Sequence, residues 1–189
     1  MRHDNLRDLM ANLLSRVVKD VETEPALTPV PSEVTTGNTG SEARLDIRAR
    51  GFWRSGQQSY YDIRVTNPFS ATGMKNSVEN LMNHHEKEKK RLYNHRVQSN
   101  EHGTFTPLVF TVFGTLSKEC NKFITTLCQK LSEKGGDSYE DVMNWLRVKI
   151  SFLCLKSCIM CLRGTRVKAG EKVYVSSDFA LDGNNAFLH

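Results

Sequence analysis

The stretch TFTPLVFTVFG, residues 104–114, constrains the fold more than any other. Apolar, aromatic and β-branched residues fill it without alternation. It therefore reads as a strand buried on both faces, stopped by Gly114. Such a strand needs a sheet to join and helices on either side of it. Two partners precede it. RLDIRA, 44–49, alternates, with Leu45 and Ile47 inward and Arg44, Asp46 and Arg48 on the other face. YYDIRV, 60–65, puts Tyr61, Ile63 and Val65 on one face and Asp62 with Arg64 on the other. The connector GFWRSGQQS is turn-rich, so the two strands are expected to form a hairpin.

Helical spacing supplies the cover. Residues 4–21 predict a helix with Asp4 as N-cap and an apolar stripe from Leu6 to Val21. ETEPALTPVPSEVTTGNTGSEA breaks that helix and reads as a loop with a short strand at its start. A long charged helix spans about 75–98, with Val78, Leu81, Met82, His85, Leu92 and Val97 as a thin stripe and Glu86–Lys90 as an i,i+4 pair. Two further helices cover about 115–133, ended by Gly135-Gly136, and about 138–162, ended near Gly164. The fold class is α/β (α+β): a small mixed sheet with an acid-bearing hairpin, flanked by helices. Residues 1–166 form the domain and 167–189 a loosely ordered tail.

Composition narrows the partners. The net charge of +5 is compatible with a polyanion. No apolar run approaches the roughly 20 residues of a membrane span, and the charged start MRHDNLRDLM lacks a signal-peptide core, so an intracellular protein is expected. Five cysteines include the cluster CLKSCIMC. Its Cys158-x-x-Cys161 pair invites a metal or redox reading. The spacing of Cys154, Cys158 and Cys161 by four and three puts them on one apolar helix face, which favours packing.

Asp46 and Asp62 lie sixteen residues apart on the two hairpin strands. A solvated face is the plain reading of them. The chemical reading is that two converging carboxylates hold a hard divalent cation such as Mg²⁺ or Mn²⁺, which takes oxygen ligands. Phosphodiester cleavage uses such an ion to neutralise charge and activate water. A neighbouring cation, here Arg64, would stabilise the transition state.

The pattern R-L-D-x(15)-D-I-R resembles the acid pair of the PD-(D/E)XK nucleases. RHDNLRDLMANLL, EP at 24–25, ARLDI, GFW, YYDIRVTNP, HEKEKKRLYNHRV, HGTFTPLVFTVFG, WLRVKISF and CLRGTR extend the likeness over about residues 2–166. Together they resemble the restriction-endonuclease-like domain that follows the reverse transcriptase in site-specific non-LTR retrotransposons of invertebrates. The resemblance implies Asp46 and Asp62 as metal ligands, with Glu24 as a further one. It implies that the essential lysine has moved from the strand to the E-K-x-x-x-Y helix, as Lys89, between Glu88 and Tyr93. Arg64, which stands where the parent motif has lysine, stays protonated and cannot act as a base. Arg2, His3, Arg44, Lys90 and Tyr93 would contact nucleic acid. The implied protein is a metal-dependent DNA-nicking domain, nuclear, with DNA as partner and a reverse transcriptase in cis or trans. Neither a membrane nor a small-molecule cofactor is expected. Leu45 stands where the superfamily has proline, and the zinc knuckle that usually precedes the RH pair has no counterpart. These departures leave a second reading, a nucleic-acid-binding relic without catalysis.

Overall fold

A computed structural model describes residues 2–28, 43–71 and 73–164. The expected tail 167–189 and most of the proline-rich loop lie outside the described residues. In chain order the elements are α1 (Arg2–Val17), β1 (Lys19–Thr23), β2 (Ile47–Arg50), β3 (Gln58–Thr66), a 3₁₀ turn (Gly73–Lys75), α2 (Val78–Ser99), β4 (Thr104–Thr111), α3 (Lys118–Gly135) and α4 (Tyr139–Gly164).

One four-stranded sheet runs in the order β1-β2-β3-β4. The first two pairings are antiparallel, and β3 with β4 is parallel, joined by the α2 crossover. The hairpin is therefore present, with Ile47 opposite Tyr61 and Arg50 opposite Gln58. On one face, α1, α3 and α4 bury Ile47, Tyr61, Ile63, Leu108 and Phe110. On the other, Tyr93 and Val97 of α2 close over Leu27, Leu45, Tyr60 and Phe105. This is the mixed sheet with helices on both faces that the doubly buried strand demanded.

Several expectations need correction. The first helix begins at Arg2 and stops at Val17. Val21, expected on it, lies in β1, where Asp20 takes a positive φ of 53° and the ladder to β2 shifts. The β-branched pair Val17-Val18 favours that exit into extended backbone. Strand β4, buried along seven of its eight residues, sits at the edge of the sheet order. Pro107, which has no ladder donor, fits an edge. The outer edge is partly covered by the following turn, where Ser117 N donates to Val109 O at 3.0 Å and Leu116 bridges Phe110.

The face bearing Asp62 and Arg64 is not solvated. Asp62 is buried and Arg64 half-buried beneath α2. Leu45 and Ile47, expected on one face, enter opposite cores. The reason is a bend at Asp46 that interrupts the alternation. The helix α2 is also more buried than its thin stripe suggests. Glu86, Tyr93 and Arg96 are buried on it, whereas Val78 is exposed.

Candidate active site

Three elements converge on two carboxylates. Asp46 stands just before β2, its backbone held on both sides: Asp46 N donates to Tyr61 O at 3.1 Å, and Glu24 N donates to Asp46 O at 2.9 Å. Its side chain then continues the ladder, because Asp46 Oδ2 accepts from Ile63 N at 2.5 Å. The carboxylate thus takes the place of a backbone acceptor and is fixed to β3. Asp62 sits between the two anchor points, on the α2 side of β3. From α2, Lys89 brings its ammonium to 2.8 Å from Asp62 Oδ2.

Burial is the strongest influence on Asp62 and raises its carboxyl above the usual range. Lys89 pulls it back, and the neighbouring Asp46 pushes it up again. The Lys89 ammonium is thus the counter-charge of this buried oxygen. Tyr93 lies below, with Lys89 Nζ 5.5 Å from its ring centroid. Burial and then the charges of Asp62 and Asp46 push its hydroxyl up.

His3, on the first turn of α1, closes the other side. Its Nε2 donates to Asp46 Oδ2 at 3.1 Å, and Nδ1 lies 3.5 Å from Asp4 Oδ1. The hydrogen bond to Asp46 raises the His3 pKa against the opposing effect of burial.

The remaining expected residues do not join this centre. The Glu24 carboxylate turns to Arg7, and only its backbone meets Asp46. Glu24 also takes a positive φ of 54°, a conformation uncommon for such a residue. Arg64 donates from Nη1 to Glu88 Oε2 at 2.7 Å. Lys90 pairs with Glu119 at 2.8 Å, not with Glu86. Glu86 instead accepts from Glu119 N at 2.8 Å, at the start of α3. Tyr93, expected to contact nucleic acid, is buried with its ring 5.6 Å from Phe105. Arg44 is exposed, bridged by backbone to Ala26. Arg2 opens α1, and its side chain lies outside the described residues.

Sequence reasoning missed two supports. His85, placed only on an apolar stripe, contacts Thr66 Oγ1 through Nε2 at 3.2 Å and Glu88 Oε2 through Nδ1 at 3.5 Å. Arg96 is buried and donates to Leu27 O at 3.1 Å and Thr28 O at 3.0 Å, tying α2 to the chain after β1. The signal for Arg96 was positional: it lies three residues after Tyr93 and so shares its face.

Chemically, the centre offers two carboxylates, one ammonium and one imidazole. Among the described residues no group of three or more His, Cys, Asp or Glu side chains gathers as a closed ligand set. Two carboxylates suit a cation that keeps most of its own waters, as Mg²⁺ does. The donors are of the right kind: both are carboxylates, and both bonds to Asp46 fall on Oδ2. No helix among the described residues is long and apolar enough to cross a membrane. Compared with models of known protein families and with curated proteins, the chain matches none.

Proposed function

We propose that the chain is a restriction-endonuclease-like domain that nicks DNA with a divalent metal ion, of the kind found in non-LTR retrotransposons and acting in the nucleus. The observation that carries this reading is the 2.8 Å approach of Lys89 to Asp62. A lysine supplied by the helix, beside the second acid of the hairpin, is the arrangement the migrated-lysine pattern requires. The acid-bearing hairpin, the α2 crossover and the parallel β4 also suit such a fold.

Asp46 and Asp62 would hold Mg²⁺ or Mn²⁺. When bound, the ion neutralises charge on the scissile phosphate and lowers the pKa of a water. Lys89 orients that water or a phosphate oxygen while balancing Asp62. His3 and the Ile63 amide keep Asp46 pointed inward. Arg64 acts through Glu88 on the position of α2 and not on substrate. Arg2 and Arg44 are left for DNA phosphates, whose contacts make affinity fall with salt.

Supercoiled plasmid nicking with Mg²⁺ or Mn²⁺ tests this. Wild type should nick, and Asp62→Ala and Lys89→Ala should each lose about a hundredfold or more. Nicking by Lys89→Ala at the wild-type rate removes the lysine from the mechanism. The second reading, a binding domain without catalysis, has its own support. Lys89 and His3 already face the two carboxylates, where a cation would otherwise stand. Salt-sensitive plasmid binding with no nicking at any metal concentration selects it.

A further inference from the structure

Helix α4 is apolar on two faces. Val142, Met143, Leu146, Ile150 and Cys154 face the core. Val148, Phe152, Leu155 and Ile159 form a second stripe, each at least 42% exposed. A surface helix normally carries one apolar stripe, directed at its own core. The second stripe has spacings of four, three and four, the d-a-d-a seam on which another helix seats its side chains. A second exposed apolar pair lies on the turn next to the helix. Gly114 abuts Ser151, and Cys158 Sγ lies 3.9 Å from Val112 O, so the turn that carries the exposed Phe113 runs alongside the helix. Phe113 in turn pairs edge-on with the exposed Phe69 at 5.5 Å. Four large apolar side chains left exposed in one stripe mark a contact surface.

Charge identifies the occupant. From Val142 to Gly164 the sequence has no acid and four cations, Arg147, Lys149, Lys156 and Arg163. Lys149 and Lys156 occupy the position that follows each d residue, where a partner helix places its own charges. Arg147 lines a pocket of about 300 Å³ beside the seam, together with Thr115, Asn121 and Ser151. A second copy of the chain would bring cations against cations. The four-three-four spacing of the stripe is that of a helix–helix seam, whereas a lipid surface imposes no such spacing. We infer that the outer face of α4 is a docking site for an amphipathic helix of a partner protein, apolar at 3–4 spacing and flanked by Glu or Asp. This inference is independent of the nuclease reading.

The test uses the full chain and two designed helical peptides of about 28 residues, long enough to be helical in water. Both carry Leu at a and d; one carries Glu at e and g, the other Lys. Fluorescence anisotropy at low salt should show the Glu peptide binding about tenfold or more tighter than the Lys peptide, with the gap narrowing as salt rises. Phe152→Ser with Leu155→Ser should abolish binding without lowering the melting temperature, because both side chains are exposed. Lys149→Glu with Lys156→Glu should reverse the peptide preference. Equal binding of both peptides, or none, overturns the inference. So does a Phe152-dependent dimer in sedimentation, which makes a second copy the occupant, or Phe152-dependent binding to anionic vesicles, which makes it a lipid surface. Failure of both peptides with a monomeric chain and a stripe protected from hydrogen exchange assigns the cover to the chain's own residues 165–189.

Discussion

At the scale of single residues, the burial of Asp62 and the position of Lys89 make opposite predictions about stability. The Asp62 carboxyl is raised by burial, and Lys89 only partly offsets this. A carboxyl with a raised folded pKa holds its proton more tightly folded than unfolded. Its contribution is then most favourable below the ordinary value of 3.8 and is lost as pH rises through the folded value. Asp62→Asn should therefore melt at or above the wild-type temperature at pH 7, with the difference vanishing below pH about 4. Lys89→Met should do the reverse. It leaves a buried carboxylate without a counter-charge and costs about 3 kcal/mol at neutral pH, less as Asp62 takes up a proton. Thermal melts across pH check both. His3 shifts upward because of Asp46, so its stabilising effect is present below 6.5 and fades as pH rises through the folded value. NMR titration should find His3 above 6.5 in the wild type and lower in Asp46→Asn. Both acids were legible as chemistry-bearing positions from their places on alternating strands. The tilt of Asp46 was not, because a bend created by the Ile63 hydrogen bond is a tertiary event. Lys89 was singled out only by the E-K-x-x-x-Y likeness. Periodicity says which face a lysine takes, never which carboxylate lies across from it.

At the scale of elements, the question is what sets α2 so that Lys89 reaches β3. Ser77 caps its first turn, accepting from Asn80 N at 3.2 Å. Midway along, Glu88 is clasped between Arg64 of β3 and His85. Burial works against the charge of Glu88, but Arg64 and His85 outweigh it and hold its carboxyl below the ordinary range. Burial, followed by Arg64, lowers the His85 pKa and so favours the neutral ring. A neutral ring with its proton on Nδ1 donates to Glu88 and accepts from Thr66 through Nε2. Arg64 and Glu88 are about one-third exposed, so screening limits the ion pair to about 1 kcal/mol. Glu88→Arg should cost more than this pair is worth, because it sets two guanidiniums together. Arg64→Glu combined with Glu88→Arg should recover most of the loss in a double-mutant cycle read by urea denaturation. If Lys89 is catalytic, nicking should fall and recover with the same variants. The helices were readable to within a few residues because their apolar positions recur at helical spacing. The exit of α1 into β1 was hidden, since Val17, Val18 and Val21 satisfy helical spacing and also suit a strand.

At the scale of the whole molecule, the sheet carries a separate apolar cluster on each face. Whether they unfold as one unit is decided by β3, whose consecutive residues Tyr60 and Tyr61 enter opposite clusters. A strand cannot release one face while keeping its ladder and register for the other. The cysteines make this measurable. Cys120 and Cys128 are buried in the first cluster, and among the described residues Cys120, Cys128, Cys154 and Cys158 form no disulfide. Burial pushes the Cys120 thiol well up and the Cys128 thiol to about 11, so neither reacts until the core opens. Of the three helix cysteines read as packing residues, Cys154 is buried in the same core, Cys158 is half-buried, and the side chain of Cys161 lies outside the described residues. Val97 is fully buried in the second cluster, on the far side of the sheet. Val97→Ala should cost about 2 kcal/mol through the cavity it leaves. If the two faces open together, that loss raises the open population, and so the labelling rate of Cys128, by about thirtyfold. A rate unchanged by Val97→Ala, with global stability lowered as expected, would mean that the α2 layer opens alone. Lys89 would then leave Asp62 without unfolding the rest. A thirtyfold rise ties the position of the lysine to the stability of the entire domain.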